Sequence, residues 1–140
     1  MSPDYDYILV VDDNAGVRRL LYELLSDEGY HVEAAENGEQ ALRKVLERTP
    51  LLVLLDVKMP GLNGLETLAE LRKIASEVPV AMITAYPELR IVLEARKSGL
   101  LQYYLEKPFD LDKVRYLVKS LLDASKEREI RRDPPAAQRT

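Results

Sequence analysis

Five apolar residues in succession, Leu51-Leu52-Val53-Leu54-Leu55, run directly into a carboxylate, Asp56. An apolar run without alternation describes a strand buried on both faces, which belongs inside a parallel sheet covered by helices above and below. Val57-Lys58-Met59-Pro60-Gly61 then turns the chain away. Open parallel sheets bind ligands just beyond the carboxyl ends of their strands, so Asp56 stands where chemistry is usually done. A carboxylate there also serves as the cap of a strand or turn, and this stretch by itself leaves both readings open.

Such a strand needs parallel neighbours, and the flanking sequence supplies them. Tyr7-Ile8-Leu9-Val10-Val11 is a short apolar strand followed by Asp12-Asp13-Asn14. Val17, Leu20, Leu21, Leu24 and Leu25 recur at helical spacing and predict a first helix with that stripe buried, stopped by Gly29. Tyr30-His31-Val32-Glu33-Ala34-Ala35 alternates weakly and reads as a second strand at or near an edge. Asn37, with Gln40 three residues on, makes a near capping box for a second helix. Its predicted inner face is Ala41, Leu42, Val45 and Leu46, and Thr49-Pro50 ends it. After the Asp56 strand, Asn63-Gly64 opens a third helix with Leu65, Leu68, Leu71 and Ala75 turned inward.

Beyond Pro79, Val80-Ala81-Met82-Ile83-Thr84 is a fourth buried strand. Pro87 suits the first turn of a fourth helix, with Ile91, Val92 and Ala95 facing in and Ser98-Gly99 as its stop. Tyr103-Tyr104-Leu105-Glu106 is the fifth strand and ends in Lys107-Pro108. Asp110 caps a fifth helix whose stripe is Leu111, Val114, Leu117, Val118, Leu121 and Leu122. The charged residues Lys126 to Arg132 extend it by up to two turns before Pro134-Pro135 forbids more. Strands alternating with helices give an α/β fold, a doubly wound parallel sheet of five strands. One domain is expected over residues 1–122, with residues 123–140 as a helical extension and disordered tail.

Composition narrows the function classes. The 140 residues contain no cysteine and one histidine, His31, so neither a disulfide framework nor a thiolate or histidine metal site is available. A net charge of −4 argues against nonspecific nucleic-acid binding by the chain as a whole. The last fifteen residues carry +2, which leaves the body at −6. No apolar run approaches the roughly 20 residues that cross a membrane, and the N-terminus lacks the regions of a signal peptide. A soluble, cytoplasmic protein is the expectation.

Four strand ends carry polar groups: Asp12-Asp13, Asp56, Thr84 and Lys107. Each has a structural alternative. Asp12 or Asp13 could cap the first helix, Thr84 could be an ordinary β-branched strand residue, and Lys107 a solvated end charge. If the four strands are neighbours, however, these groups share one crevice. Two carboxylates about 4 Å apart repel by roughly 4 kcal/mol at an effective dielectric of 20, so three together require a cation. A hard divalent ion that keeps some of its waters, Mg²⁺, suits oxygen ligands of this kind. A carboxylate nucleophile, a metal ion, a hydroxyl and an ammonium are the parts needed to accept a phosphoryl group. In that reading Asp56 attacks in line, Lys107 neutralises phosphoryl oxygens and Thr84 hydrogen-bonds one of them.

The motifs Val10-Val11-Asp12-Asp13, Leu54-Leu55-Asp56-Val57-Lys58-Met59-Pro60-Gly61, Ile83-Thr84-Ala85 and Lys107-Pro108-Phe109, in this order and spacing, resemble those of a response-regulator receiver domain of two-component signalling. The resemblance runs from about Tyr7 to Leu122 and implies a flavodoxin-like (βα)5 fold. It implies that Asp56 is the phosphoacceptor, that Asp13 and Asp56 bind Mg²⁺ directly with the Lys58 backbone carbonyl, and that Asp12 acts largely through water. It further implies that Thr84 and Lys107 contact the phosphoryl group, that Tyr104 is the switch aromatic, and that the Lys107-Pro108 bond is cis. The resemblance also implies that Lys58 and Tyr86 occupy the two positions that flank the path of hydrolytic water and so tune dephosphorylation.

Within the family the chain is most similar to the single-domain receiver of the sporulation phosphorelay and to receivers of nitrogen-regulation-type transcription factors. The implied partners are a sensor histidine kinase or histidine phosphotransferase and a downstream protein, with a phosphorylation-dependent dimer also open; no nucleic acid is contacted directly. No enzymatic activity is expected beyond promotion of its own phosphorylation and slow dephosphorylation. The input domain of a larger transcriptional regulator is the alternative, followed by an aspartyl-phosphate phosphatase and a flavodoxin-like electron carrier. The phosphatase reading lacks a second Asp two residues after Asp56, where Lys58 stands, and Asp12-Asp13 would repel a phosphate in a flavodoxin-type first loop. One departure from the family is the spacing from Gly99 to Lys107, which is one residue longer than usual, with Leu100-Leu101 in place of a small residue.

Overall fold

The computed structural model describes residues 6–57, 61, 63–85, 90–97 and 103–132. Among these residues five strands and five helices alternate: β1 (Ile8–Val11), α1 (Ala15–Asp27), β2 (Val32–Ala35), α2 (Gly38–Glu47), β3 (Leu52–Asp56), α3 (Gly64–Ile74), β4 (Val80–Thr84), α4 (Arg90–Lys97), β5 (Tyr103–Glu106) and α5 (Leu111–Arg132). The strands form one parallel sheet in the order β2-β1-β3-β4-β5. β3 lies at its centre with every residue buried, as its unbroken apolar sequence requires. β2, with its weak alternation, is an edge strand.

Strand alternation divides the core into two layers. Leu9, Val11, Val53, Leu55 and Met82 meet α2 and α3 residues Ala41, Val45, Leu68 and Leu71 on one face. Ile8, Val10, Leu52, Leu54, Ala81 and Ile83 meet α1 and α5 residues Leu21, Leu25, Val114, Val118 and Leu121 on the other. Two positions assigned to buried stripes prove otherwise. Leu20 is 42% exposed and Leu46 is 68% exposed, because α1 and α2 each present a narrower face to the sheet than the apolar pattern suggests. Tyr7, just before β1, is fully buried; its hydroxyl donates to the carbonyl of Arg48 at 2.6 Å and the Arg48 guanidinium lies 4.4 Å from its ring centre. That contact ties the start of the sheet to the end of α2.

The helix starts follow from local chemistry. Asn37 Oδ1 accepts from Gln40 N at 2.8 Å, while Gln40 Oε1 reaches Glu36 N instead of the cap itself. Asn63 and Glu66 form a complete capping box at α3. Asp110 Oδ1 accepts from Asp112 N at the start of α5, and that helix continues through Arg132. Among the described residues no helix is long and apolar enough to cross a membrane. Pro87, the Ser98-Gly99 stop, the Leu100-Leu101 loop and the segment 133–140 lie outside the described residues, as do the side chains of Ile91, Val92 and Ala95.

Candidate functional site

The strand order places the carboxyl ends of β1, β3, β4 and β5 side by side, and each delivers one or more of the groups expected there. Asp56 is the last residue of β3, Asp12 and Asp13 follow β1, Thr84 ends β4, and Lys107 follows β5. In register, Asp56 lies opposite Ile83, one residue short of Thr84, and Lys107 N donates to the Thr84 carbonyl at 2.6 Å. Asp12, Asp56 and Thr84 are buried; Asp13 is exposed. One carboxylate oxygen from each of Asp12, Asp13 and Asp56 falls within 4.8 Å of the others.

Lys107 bridges the two buried acids. Its Nζ donates to Asp12 Oδ2 at 3.0 Å and to Asp56 Oδ1 at 3.5 Å. Burial alone would lower the Lys107 pKa, but the hydrogen bond and field of Asp12, followed by those of Asp56, outweigh it and hold the ammonium above its ordinary value. Asp56 goes the other way. Burial first, then the Asp12 charge, push its carboxyl up to about 6, while Lys107 pulls it down and Asp13 adds a smaller upward push. Among the described residues the site thus sets three acidic side chains against one ammonium. A divalent cation on oxygen ligands fits that charge and that donor set.

The backbone around Asp56 is held by a glycine. Gly64, the first residue of α3, donates its N–H to the Val57 carbonyl at 2.8 Å. A Cβ at that position would collide with the carbonyl oxygen of Asp56 and lie 2.6 Å from Val57 Cα. Only glycine lets α3 start this close to the end of β3. Gly61, at φ +74°, takes the left-handed conformation that favours glycine.

The β1 end is organised differently from either helix-capping alternative. Asn14, not Asp12 or Asp13, caps α1, with Oδ1 accepting from Val17 N. Asp12 Oδ1 accepts from Asn14 N at 2.9 Å, and the Asp12 carbonyl accepts from Arg18 Nη1 at 2.7 Å. Sequence reasoning singled out neither Arg18 nor the close approach of Gly64.

Tyr104 packs on the α2–α3 face of the sheet, whereas Tyr103 and Leu105 pack on the α1–α5 face. Alternation along β5 thus sets Tyr104 on the opposite face of the sheet from Tyr103 and Leu105. Its ring lies 4.4 Å from the Arg96 guanidinium of α4, and its hydroxyl is 3.1 Å from Arg96 Nη1. The Lys107-Pro108 peptide is cis. Lys58 and Tyr86 lie outside the described residues.

Comparison with known proteins follows the same lines. Residues 8–119 match the family model for the response regulator receiver domain. The sporulation initiation phosphotransferase F of Bacillus subtilis (strain 168) is 44% identical over 115 residues, covering 82% of this chain and 92% of that protein. The regulatory protein AtoC of Escherichia coli (strain K12) is 38% identical over 125 residues, 89% of this chain but only 27% of that protein. Among solved structures, the response regulator TrrA of Thermotoga maritima in complex with Mg²⁺ and BeF superimposes with a TM-score of 0.74 at 40% identity, covering 83% of this chain and 98% of that one.

Proposed function

The chain belongs to the response regulator receiver family, and from that premise we propose that Asp56 accepts a phosphoryl group from the histidine of a sensor kinase or histidine phosphotransferase in the cytoplasm. The observation that carries this is the convergence of three acids, Asp56, Asp12 and Asp13, with the single ammonium of Lys107 at adjoining strand ends among the described residues. At neutral pH an Asp56 pKa of about 6 leaves the carboxylate mostly ionised and fit to act as the nucleophile. Lys107, already within 3.5 Å of Asp56, is placed to neutralise the oxygens of an incoming phosphoryl group. Thr84, buried at the end of the adjoining strand, is the hydroxyl that would hydrogen-bond one of them. Asp13 and Asp56, with the Lys58 carbonyl on the family resemblance, would hold Mg²⁺, and Asp12 would act through water and Lys107. When bound, the ion supplies charge neutralisation of the phosphoryl oxygens.

On the same resemblance Tyr104 is the switch aromatic that follows Thr84 inward on phosphorylation, and the surface of α4, β5 and α5 is the partner face, with dimerisation as one outcome. Lys58 and Tyr86, neither of them a carboxylate or amide suited to aligning water, would make the phosphorylated form long-lived. The input domain of a larger regulator is a second reading. It is favoured by the match to AtoC, of which this chain spans about a quarter, and by the continuation of α5 through Arg132.

The direct test is incubation of the purified protein with acetyl phosphate and Mg²⁺, followed by intact-mass measurement. Wild type should gain one phosphoryl group, lost on removal of Mg²⁺ and in Asp56→Asn. Equal labelling of Asp56→Asn would place the acceptor elsewhere.

A further inference from the structure

All three oxygens of Asp12 are engaged. Oδ1 takes the Asn14 N–H at 2.9 Å, Oδ2 takes the Lys107 ammonium at 3.0 Å, and the backbone carbonyl takes the Arg18 guanidinium at 2.7 Å. The last of these is unlike the others, because it fixes a peptide plane. That carbonyl belongs to the peptide joining Asp12 to Asp13, so the guanidinium sets how the backbone enters the only exposed carboxylate of the cluster. The Asp12 N–H is also held, by the Ala35 carbonyl at 3.2 Å. Arg18 is itself fixed: its side chain is 20% exposed, and its second nitrogen faces Glu36 at 3.8 Å. Glu36 in turn exchanges hydrogen bonds with Gln40 at the start of α2.

We propose that Arg18 is a positioning residue for the metal site, holding the Asp12–Asp13 peptide so that the Asp13 carboxylate is presented toward Asp56. The proposal rests on the Mg²⁺ reading given above. Its physical interest lies in a conflict of sign. Arg18 is a cation beside a cluster that is to bind a cation, so Coulomb repulsion acting alone makes the guanidinium unfavourable for Mg²⁺. Presentation of the ligand acts in the opposite direction, since a group that orients a metal ligand typically alters affinity by tenfold or more. Removing Arg18 should therefore tighten Mg²⁺ binding if only its field matters, and weaken it if its hydrogen bond matters.

The experiment is calorimetric titration of MgCl2 into wild type, Arg18→Met and Arg18→Lys, with the metal-free melting temperature of each as a check on folding. Arg18→Met should bind Mg²⁺ about tenfold more weakly. Arg18→Lys keeps the charge but loses the planar fork, and should fall between the two. A field effect alone predicts tighter binding in Arg18→Met and no change in Arg18→Lys; either of these results, or unchanged binding in both variants, overturns the proposal. The Lys variant keeps the test decisive should the Met variant fold poorly. Absence of Mg²⁺ binding by wild type would instead refute the metal reading on which the proposal rests.

Discussion

Replacing Asp13 by Asn tests the electrostatics of the site through stability alone. Asp12, Asp13 and Asp56 present oxygens within 4.8 Å of one another. At that distance and an effective dielectric of 20, each ionised pair is worth about 3 kcal/mol of repulsion. Asp13 is exposed, so water and salt screen most of its share, and Lys107 offsets more; a net gain of about 1 kcal/mol on neutralisation is the reasonable expectation. For a chain of 140 residues this raises the metal-free melting temperature by about 3 to 4 °C. With Mg²⁺ the order should invert. Wild type gains about 2.7 kcal/mol at one hundred times its dissociation constant. If loss of a ligand weakens binding about a hundredfold, the variant gains only about 0.4 kcal/mol at the same concentration. Thermal melts of both proteins across an Mg²⁺ series should therefore cross: the variant more stable without metal, wild type more stable with it. Parallel curves, or a variant less stable than wild type without metal, would show that the carboxylates neither repel significantly nor share an ion.

Three further outcomes follow from the same geometry. Asp56, raised from 3.8 to about 6, binds its proton more tightly folded than unfolded. Metal-free stability should thus fall as pH rises from about 4 through 6, by about 3 kcal/mol at most, and urea midpoints of wild type minus Asp56→Asn should show that slope. Because Lys107 lowers the Asp56 pKa, Lys107→Met should move its titration above about 6, read by carboxyl-carbon NMR; a midpoint moved downward would contradict the ion pair. Gly64→Ala drives a methyl into the Asp56 carbonyl and Val57 backbone, and should cost about 2 to 3 kcal/mol in chemical denaturation together with loss of Asp56 phosphorylation. A neutral effect there would mean that α3 can retreat from β3.

The order of strands and helices could be read from the chain because burial on both faces leaves a mark at every position of β3 and β4. Strand ends then put Asp12, Asp13, Asp56, Thr84 and Lys107 in one crevice on the condition that β1, β3, β4 and β5 are neighbours, a condition the strand order meets. Helix faces were less legible. Leu20 and Leu46 fit an apolar arc as well as Leu21 and Val45 do, and periodicity cannot say how much of an arc the sheet covers. Contacts made by backbone atoms were not legible at all. Arg18 reaches a carbonyl, and Gly64 is required by the absence of a side chain, so neither belongs to a pattern of residue types.

The bridge from Lys107 to Asp12 spans 95 residues of chain, and this bears on the order of assembly during synthesis. β1 and β3 can bring three like charges together long before β5 leaves the ribosome, since translation adds roughly 5 to 20 residues each second. The ammonium that offsets part of that charge arrives among the last elements. In a nascent chain whose β1 and β3 have already met, the site would be all anion for several seconds at that rate of synthesis. Docking of β5 and α5 ends that period, so competence to accept a phosphoryl group is also a certificate that the whole domain has folded.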